Sequence, residues 1–456
     1  MTTALEPGFE INLATLLVGV DTLCGGNVGG SSAERFILDT WSSGKQLPPI
    51  YHDTNAALLR RSNGASPTTR DTVCDFVVDY ELRDLPAQVR CDAADFAPAR
   101  RAYVNHLCTA LDVILQTMFG HATGEKMPSF DERRAAVLLS SSGSVVIDPA
   151  PAREVLREAL EKAGYGYRTG GNLRENVVVW RDQRVVPVQS VGQKMAEIKT
   201  ELTGLLRERI LSRLTVSPPN YWPRLEDTPF TNHTLRFTTD QHYTGFSQYD
   251  GGTDTAGVPA LHGLFEFNTD HPVTRENLYH LVAHEVLAHY PSQVMCDLGY
   301  RSGRLPFEAT VGTMCTPSTM LEEGTAENML YTIFGSRQNA IDALGADLAV
   351  VLALNDLENI AKNNVGILRL REGWQPNAVK QYVAEQCVQQ DSIVDKMSRD
   401  WASNIIIAPM YGPAYYHGTE VVSNALARYG PMSVARVGFH FDGLVDHRTF
   451  EQHLSS

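Results

Sequence analysis

Apolar side chains recur at helical spacing in the middle of this chain and mark one predicted helix there. Thr274 is the predicted N-cap, and Glu276 lies in the first turn, where the helix dipole favours a negative charge. Pro291 predicts the end of the helix. The apolar positions of this helix follow a period close to 3.6 residues: Leu278, Leu281, Val282, Val286 and Leu287.

Just upstream, residues 261–268 alternate in the way that is typical of a half-buried strand. Leu264 and Glu266 fall on one face of this strand, and Phe265 and Phe267 fall on the other. A strand at the edge of a sheet would pair with an extended peptide. A strand inside the sheet would have no edge to offer, and the sequence leaves both interpretations open.

The patterning divides the chain into three predicted regions. Residues 1–134 are predicted as a helical N-terminal region, and residues 135–220 as a small α/β layer. Residues 221–456 are predicted as the catalytic part, with a helical C-terminal portion. The predicted fold class is therefore α+β and predominantly helical.

Within the α/β layer, the strand predictions depend on valine-rich runs. Residues 145–147 are predicted as a short strand, and residues 177–188 as a hairpin around four polar residues. Helices are predicted over residues 151–164 and 192–214, where apolar positions recur at helical spacing.

Composition and charge narrow the class of protein. The 456 residues are 43% hydrophobic and 20% charged, which is typical of a globular protein with a large core. A net charge of −14 without any Lys/Arg-rich run argues against a nucleic-acid or anionic-membrane partner. We recognise no signal peptide and no apolar run of transmembrane length. Seven scattered cysteines without a CxxC motif predict reduced thiols and a cytoplasmic location. The oligomeric state is not indicated.

The central helix carries the most specific chemical pattern, His284-Glu285-Val286-Leu287-Ala288-His289. Imidazole nitrogens are good zinc ligands, and a carboxylate beside a bound zinc can accept a proton from water. The spacing is one residue longer than the common H-E-x-x-H pattern. In a regular helix, residues five apart point about 140° away from each other, against about 40° for residues four apart. Binding of one metal by His284 and His289 therefore predicts a π-helical turn that absorbs the extra residue.

A second cluster, Glu322-Glu323-Gly324-Thr325-Ala326-Glu327, supplies a third metal ligand. A His2Glu zinc site needs one such carboxylate. We assign Glu323 as the ligand, and Glu327, one turn later on the same face, as the acceptor that orients a ligating histidine. Glu322 points elsewhere on the helix and is interpreted as a solvated residue.

Two other groups of residues bear on the site. His280 and His284 are four residues apart and form a rival pair, although Leu281 follows His280 where a catalytic glutamate would be needed. Near the C-terminus, residues 408–418 are dense in glycine, proline and aromatic residues. Tyr415, Tyr416 and His417 in this segment are candidates to stabilise an oxyanion. Alternatively, residues 408–418 form an ordinary packed turn without a role in the reaction.

These motifs resemble, in order, those of a bacterial gluzincin family that carries HExxPGH, an EGWA helix and a PGQ-type C-terminal motif. The likeness runs over about residues 260–425 and begins at Asn268. The Pro-Gly before the second histidine is missing in this chain, and Gly324-Thr325-Ala326 stands in place of Gly-Trp-Ala. The HExxxH spacing is instead similar to that of the tyrosine carboxypeptidases, whose second motif is of the Glu-Gly-x-Ala kind. Dipeptidyl peptidase III shares this spacing, and its EExxAE motif matches residues 322–327.

All three groups are gluzincin zinc metallopeptidases, and the resemblance implies a gluzincin-like (zincin) catalytic domain. It implies Zn2+ as the cofactor, with His284, His289 and Glu323 as ligands. It also implies Glu285 as the general base and Tyr415 as an oxyanion helper.

The sequence therefore predicts a zinc-dependent hydrolase that cleaves a peptide or peptide-like amide bond, and a carboxypeptidase is favoured. Such an enzyme needs a cation for the terminal carboxylate of its substrate, and Arg369, Arg371 and Arg399 are candidates. An aminopeptidase would instead use the carboxylate of Glu322 or Glu266 to bind the free amine.

Two alternatives remain open at this stage. One is a zinc-dependent tailoring enzyme that acts on a small amide-like metabolite, which a closed pocket would favour. The other is a zinc-binding protein without activity, against which the intact Glu285 argues.

Overall fold

The computed structural model of the chain describes most of the sequence, and every structural statement below concerns the described residues. These residues are 4–26, 36–51, 70–140, 145–165, 172–213, 233–239, 241, 244–249, 251, 261–441 and 443–455. They form a predominantly helical α+β fold, as predicted. Within this part of the chain, no helix is both long and apolar enough to cross a membrane.

Among the described residues, eight helices precede the first strand of the larger sheet. They are α1 (Phe9–Leu23), α2 (Arg70–Asp79), α3 (Leu85–Asp92), α4 (Pro98–Thr123), α5 (Phe130–Leu138), α6 (Ala150–Lys162), α7 (Leu173–Asp182) and α8 (Val188–Arg209). The structure thus confirms the helix predicted over residues 151–164. The helix predicted over residues 192–214 also forms, as α8, but it ends at Arg209, and residue 214 lies outside the described residues.

Ten further helices follow the sheet. They are α9 (Arg275–Leu281), α10 (Tyr290–Arg301), α11 (Pro317–Phe334), α12 (Arg337–Leu344), α13 (Ala346–Gly366), α14 (Pro376–Gln381), α15 (Asp391–Lys396), α16 (Ile407–Met410), α17 (Gly412–Gly438) and α18 (Phe450–Ser455). Short π-helical stretches extend three of these helices: Ile367–Arg371, Tyr382–Gln386 and Met397–Trp401. A fourth, Val282–His289, joins α9 to α10.

In the described part of the chain, five short strands form two sheets. β1 (Leu38–Trp41) pairs antiparallel with β5 (Val311–Thr313). β2 (His233–Thr238), β3 (Gly245–Tyr249) and β4 (Gly263–Asn268) form a mixed sheet of order β2-β4-β3. β4 is the strand predicted over residues 261–268, and it lies in the centre of its sheet. Of the two interpretations left open by the sequence, the interior strand is therefore the right one.

The predicted hairpin over residues 177–188 is wrong, since residues 173–182 form α7 and α8 begins at Val188. Asn172 caps α7 in a reciprocal capping box with Glu175. Val177 and Trp180 are buried, whereas Val178 between them is exposed, so the burial follows a helical period. The β propensity of consecutive valines depends on context and is outweighed by the cap and this period.

The strand predicted at residues 145–147 does not form either, because these residues are irregular. Asn364 on α13 satisfies their backbone: its side-chain oxygen accepts from Ile147 N, and its amide donates to Ile147 O. The described residues of 135–220 are thus helical and irregular, with no ladder strand among them. The division of the chain at residues 134 and 220 stays a prediction.

The predicted end of the central helix at Pro291 is also wrong. The helix begins after Thr274, whose hydroxyl accepts from Asn277 N in a capping box, and it continues through the π-helical stretch to Arg301. Pro291 lies in the first turn of α10, where the register of hydrogen bonds changes from the wide π pattern to the α pattern.

Two long helices, α11 and α17, pack against each other at the centre of the molecule through glycines. A Cβ atom placed on Gly324 would lie 2.2 Å from Gly418 O, and one on Gly418 would lie 2.1 Å from Met320 O. Neither position has room for a side chain, so the two backbones touch. This close approach brings Glu323 on α11 next to the first turns of α17.

Candidate metal centre

The two histidines of the central helix face the same point. The stretch Val282–His289 is π-helical, as the HExxxH spacing predicts. Its wider turn brings His284 Nε2 and His289 Nε2 to 3.1 Å from each other. Both histidines therefore face one point, with Glu285 between them on the same π-helical stretch.

Glu323 on α11 completes a triangle of ligand atoms. Its Oε2 atom lies 3.5 Å from His284 Nε2 and 3.7 Å from His289 Nε2. Ligands at zinc-bond lengths on a tetrahedral ion are separated by roughly 3.3 Å. The three separations are close to this value, and the chemistry is that of a His2Glu site.

The state of the donor atoms also fits a metal. Glu323 Oε2 is buried and has no hydrogen-bond partner, while Oε1 accepts from Tyr411 Oη at 2.8 Å. Burial alone would raise the pKa of Glu323, but the imidazoles of His284 and His289 outweigh it and hold this pKa well below its usual range. Burial would lower the pKa of His289, but Glu323 raises it to about 9. Such a cluster of mutually attracting groups with an unsatisfied oxygen fits a bound cation.

Glu327 lies behind the first histidine, in the position predicted for an orienting carboxylate. Its Oε1 atom is 3.4 Å from His284 Nδ1, and its Oε2 atom is 3.6 Å from His280 Nε2. The contact to Nδ1 is within ion-pair range but does not meet hydrogen-bond geometry. Asn359 Nδ2 donates to Glu327 Oε2 at 3.2 Å.

The rival ligand set therefore also exists as a cluster. His280, His284 and Glu327 form a second group whose ligand atoms lie within 4.8 Å of one another. The two groups share His284, and they use opposite nitrogens of its ring. We favour the set with His289 because Glu285 lies between its two histidines on the π-helical stretch, whereas Leu281 follows His280 in the rival set.

Glu285 is buried and lines the cavity in front of the histidines. Strand β3 runs beside it: Ser247 Oγ donates to Glu285 O at 3.0 Å. A Cβ atom on Gly245 would lie 3.5 Å from Glu285 Oε1. The sheet thus supports the π-helical turn and lies along the carboxylate predicted as the general base.

The aromatic segment near the C-terminus contributes two tyrosines to the site, of which the sequence indicated one. Tyr415 lines the cavity, and its hydroxyl lies 2.9 Å from the hydroxyl of Tyr411. Tyr411, which donates to the ligand Glu323, was missed, although it precedes Tyr415 by four residues and so shares its side of the segment. Burial, with Glu323 nearby, raises the pKa of both phenols well above the usual range.

The other two predicted oxyanion helpers are not brought to the metal ligands. The Tyr416 hydroxyl donates to Glu420 at 3.2 Å, and the His417 ring lies 3.4 Å from Arg134 Nη2. Neither residue is among those that line the cavity. Successive residues of α17 point in different directions, so only Tyr415 of the three faces the site.

A cavity of about 370 Å3 opens in front of the metal ligands. Glu322 lines it, so the interpretation of this residue as solvated is wrong; burial raises the pKa of its carboxyl to about 7. Charged side chains of both signs line the cavity. Asp39 and Glu322 lie near each other. Lys362 and Lys396 also lie near each other, and we call this part of the lining, which includes Glu358, the cationic end.

The three arginines considered for a substrate carboxylate lie elsewhere. Arg369 donates to Trp374 O, Arg371 is 3.6 Å from Asp131, and Arg399 pairs with Asp400. None of the three is among the described residues that line the cavity. Glu266, considered for a substrate amine, is buried and paired with Arg236.

The fold is similar to those of two bacterial chains of known structure. One, from Colwellia psychrerythraea and provisionally named a lipoprotein, has a TM-score of 0.50 at 13% identity, over 94% of this chain and 82% of that chain. The other, from Shewanella oneidensis, is provisionally named a lipoprotein of unknown function. It has a TM-score of 0.51 at 12% identity, over 98% of this chain and 99% of that chain. No protein-family model and no curated protein matches the sequence. At these identities the likeness concerns the fold alone, and the cytoplasmic location stays a prediction.

Proposed function

We propose that this chain is a zinc-dependent hydrolase of the gluzincin type that cleaves a peptide or peptide-like amide bond. One observation carries the proposal: His284 Nε2, His289 Nε2 and Glu323 Oε2 lie within 3.7 Å of one another, with Glu285 on the same turn of helix. Structural zinc sites are usually closed by four protein ligands, whereas catalytic sites keep a position open. Three ligands beside a cavity correspond to the catalytic kind.

A zinc ion held by these three residues would acidify a water molecule and polarise the carbonyl of the substrate. Glu285 would accept the proton of the attacking water and deliver it to the leaving amine. The Tyr415 hydroxyl donates to Tyr411 Oη, since the proton of Tyr411 goes to Glu323; it would turn from Tyr411 to donate to the oxygen that becomes negative. Tyr411 and Glu327 would hold Glu323 and His284 in place.

Two features of the cavity favour a short peptide as the substrate. Thr244 and the first three residues of β3, 245–247, line the cavity. An extended peptide would therefore lie alongside this strand. The volume of about 370 Å3 is near the lower end of the range for ligand pockets, about 300–1,000 Å3. This size suits removal of a terminal residue better than cleavage within a long chain, and it also admits a small amide-like metabolite.

The direct test is digestion of a library of short peptides by zinc-loaded protein, followed by mass spectrometry. Wild type is expected to cleave, chelator-treated protein is not, and Glu285→Gln is expected to bind zinc but lose about 100-fold or more of the rate. Full activity of Glu285→Gln would contradict the role of Glu285. Cleavage of small amides alone, with no peptide cleaved, would favour the metabolite enzyme.

A further inference from the structure

Two lysines from different helices converge at the cationic end of the cavity. Lys362 comes from α13, and Lys396 is the last residue of α15. Lysine side chains are rarely buried unless their charge is matched. Lys362 is nevertheless only 8% exposed, and both side chains line the cavity in front of the metal ligands.

Lys362 is connected to the metal centre through aromatic rings. Its Nζ atom lies 3.5 Å from the centre of the Tyr415 ring and 5.6 Å from that of Trp401. The hydroxyl of Tyr415 contacts that of Tyr411, which donates to Glu323. A chain of contacts through Tyr415 and Tyr411 therefore connects the ammonium group of Lys362 to Glu323, the predicted zinc ligand.

Only one of the two lysines has an ion-pair partner. Lys362 forms an ion pair with Glu358 at 3.3 Å. Lys396 has neither a hydrogen bond nor an ion pair with any residue that the structure describes: Asp395 beside it is paired with Lys380, and Asp400 is paired with Arg399. Two ammonium groups thus share one ion-pair partner, while Glu327 and Asp400 act on them from beyond ion-pair distance.

Lys396 is half-buried. A partly desolvated ammonium group without a partner is unfavourable, and a ligand of opposite charge lowers that penalty. Burial and the neighbouring Lys362 lower the pKa of Lys396 to about 8, which agrees with a charge that is not matched. A single negative charge entering through the cavity would match it.

We propose that Lys362 and Lys396 bind a carboxylate of the substrate, and that this contact selects the bond to be cleaved. The identification of the bound carboxylate as part of a peptide or amide substrate rests on the proposed function. A carboxylate held next to Tyr415 would lie close to the metal ligands. The terminal carboxylate of a peptide would satisfy this geometry if the enzyme removes a C-terminal residue, and an acidic side chain is the other source of the same group.

The test measures binding without turnover, by calorimetry on full-length Glu285→Gln protein. The probes are N-acetyl-phenylalanyl-phenylalanine and the same dipeptide as its C-terminal amide, since Trp401 and Ile393 offer apolar surface near the lysines. The free acid is expected to bind at least about tenfold more tightly than the amide, as for loss of a charged hydrogen bond. Lys396→Met and Lys362→Met should each remove most of this difference, and Lys396→Arg should keep it.

Lys380→Met is the matched control, because Lys380 is an exposed lysine paired with Asp395 at 2.6 Å outside the cavity. It changes the net charge by the same amount and should leave the difference intact. Thermal unfolding of each variant separates loss of the contact from loss of the fold.

A third probe, N-acetyl-phenylalanyl-glutamic acid with its terminal carboxyl amidated, distinguishes the two sources. If it binds like the free acid and depends on Lys396, the site takes an acidic side chain. If it binds like the amide, the site takes the terminal carboxylate. Equal binding of all three probes, no binding of any, or a difference that survives both lysine substitutions would overturn the inference.

Titrations repeated on chelator-treated protein distinguish a failure of this inference from a failure of the proposed function. A preference for the free acid that persists without zinc supports the lysine site even if no cleavage is ever found. A protein that binds zinc and cleaves peptides but shows no dependence on Lys362 or Lys396 would refute the lysine site alone.

Discussion

His284 Nε2 and His289 Nε2 lie 3.1 Å apart although five positions separate the two residues in the sequence. In a regular α-helix the two side chains would point about 140° away from each other. The π-helical stretch Val282–His289 removes this difference. The HExxxH spacing thus requires a π-helical stretch if both histidines are to face one point, and the structure has that stretch.

The contact between Gly324 and Gly418 is expected to be intolerant of any side chain. Gly324→Ala would place a Cβ atom 2.2 Å from a backbone oxygen that belongs to the facing helix. Because neither backbone can move without disturbing Glu323, we expect urea denaturation to show a loss of about 3 kcal/mol. Zinc affinity should fall as well.

Gly204→Ala is the control for this substitution, since Gly204 is an exposed glycine within α8 with no atom near its missing Cβ. It should stabilise the protein by up to about 1 kcal/mol through helix propensity. A Gly324→Ala protein as stable as wild type would show that α11 and α17 do not touch as described.

Tyr411 and Tyr415 are expected to have different roles that their phenylalanine variants separate. Tyr411→Phe removes the donor to Glu323 Oε1 and should weaken zinc binding about 10- to 100-fold. Tyr415→Phe should leave zinc affinity nearly unchanged but lower kcat by about 100-fold or more. Tyr416→Phe should change neither quantity, because this hydroxyl bonds to Glu420. If the effects of the Tyr411 and Tyr415 variants were exchanged, both roles would be refuted.

Glu327→Gln keeps the shape of the side chain but removes the charge behind His284. If Glu327 only orients the histidine, zinc affinity measured by competition with a chelator should fall about 10- to 100-fold. Complete loss of zinc would instead point to Glu327 as a ligand of the rival cluster. Glu420→Gln is the matched control, because it removes one negative charge at an exposed position on α17. It should leave the zinc affinity unchanged.

Carboxylate binding is expected to depend on pH through Lys396. Burial lowers the pKa of this group to about 8; Lys362 lowers it further, while Glu358 and Asp400 act in the opposite direction. Among the described residues, His271 also interacts with it, and the pKa of His271 is lowered by burial and by Lys396. Lys396 is charged below pH 8 and neutral above it, so binding of the free-acid probe should weaken as the pH rises through 8.

The variant Lys396→Arg should hold its affinity over the same range, because a guanidinium group stays protonated. Calorimetric titrations between about pH 6.5 and 9.5 make the comparison, since these conditions lie about 1.5 units either side of that pKa. An equal loss of affinity in wild type and Lys396→Arg would assign the pH dependence to another group.

The features that the sequence predicted correctly are those fixed by local chemistry, whereas the ligand roles of His284, His289 and Glu323 stay a prediction. Helix geometry alone required the π-helical turn if both histidines were to bind one metal. The cap at Thr274 and the strand that became β4 follow from short-range patterns. All of these depend on residues close together in the chain.

The features that were predicted wrongly or missed depend on tertiary contacts. The valine run at residues 177–179 became helical because Val177 and Trp180 pack into a core with residues of α13. Tyr411 reaches Glu323 only because α17 packs on α11. Glu322 lies near Asp39 of β1 and Tyr103 of α4, both distant in sequence. The lysines at the cationic end come from helices distant in sequence, so no local pattern pointed to them.

The central claim is tested most directly by the zinc content of purified His289→Ala and His280→Ala proteins beside wild type. We expect about one zinc per chain in wild type and in His280→Ala, and none in His289→Ala, since His289 is a ligand and His280 is not. Zinc retained by His289→Ala but lost from His280→Ala would establish the rival cluster. A wild-type protein that takes up no zinc even when zinc is supplied would contradict the metal centre altogether.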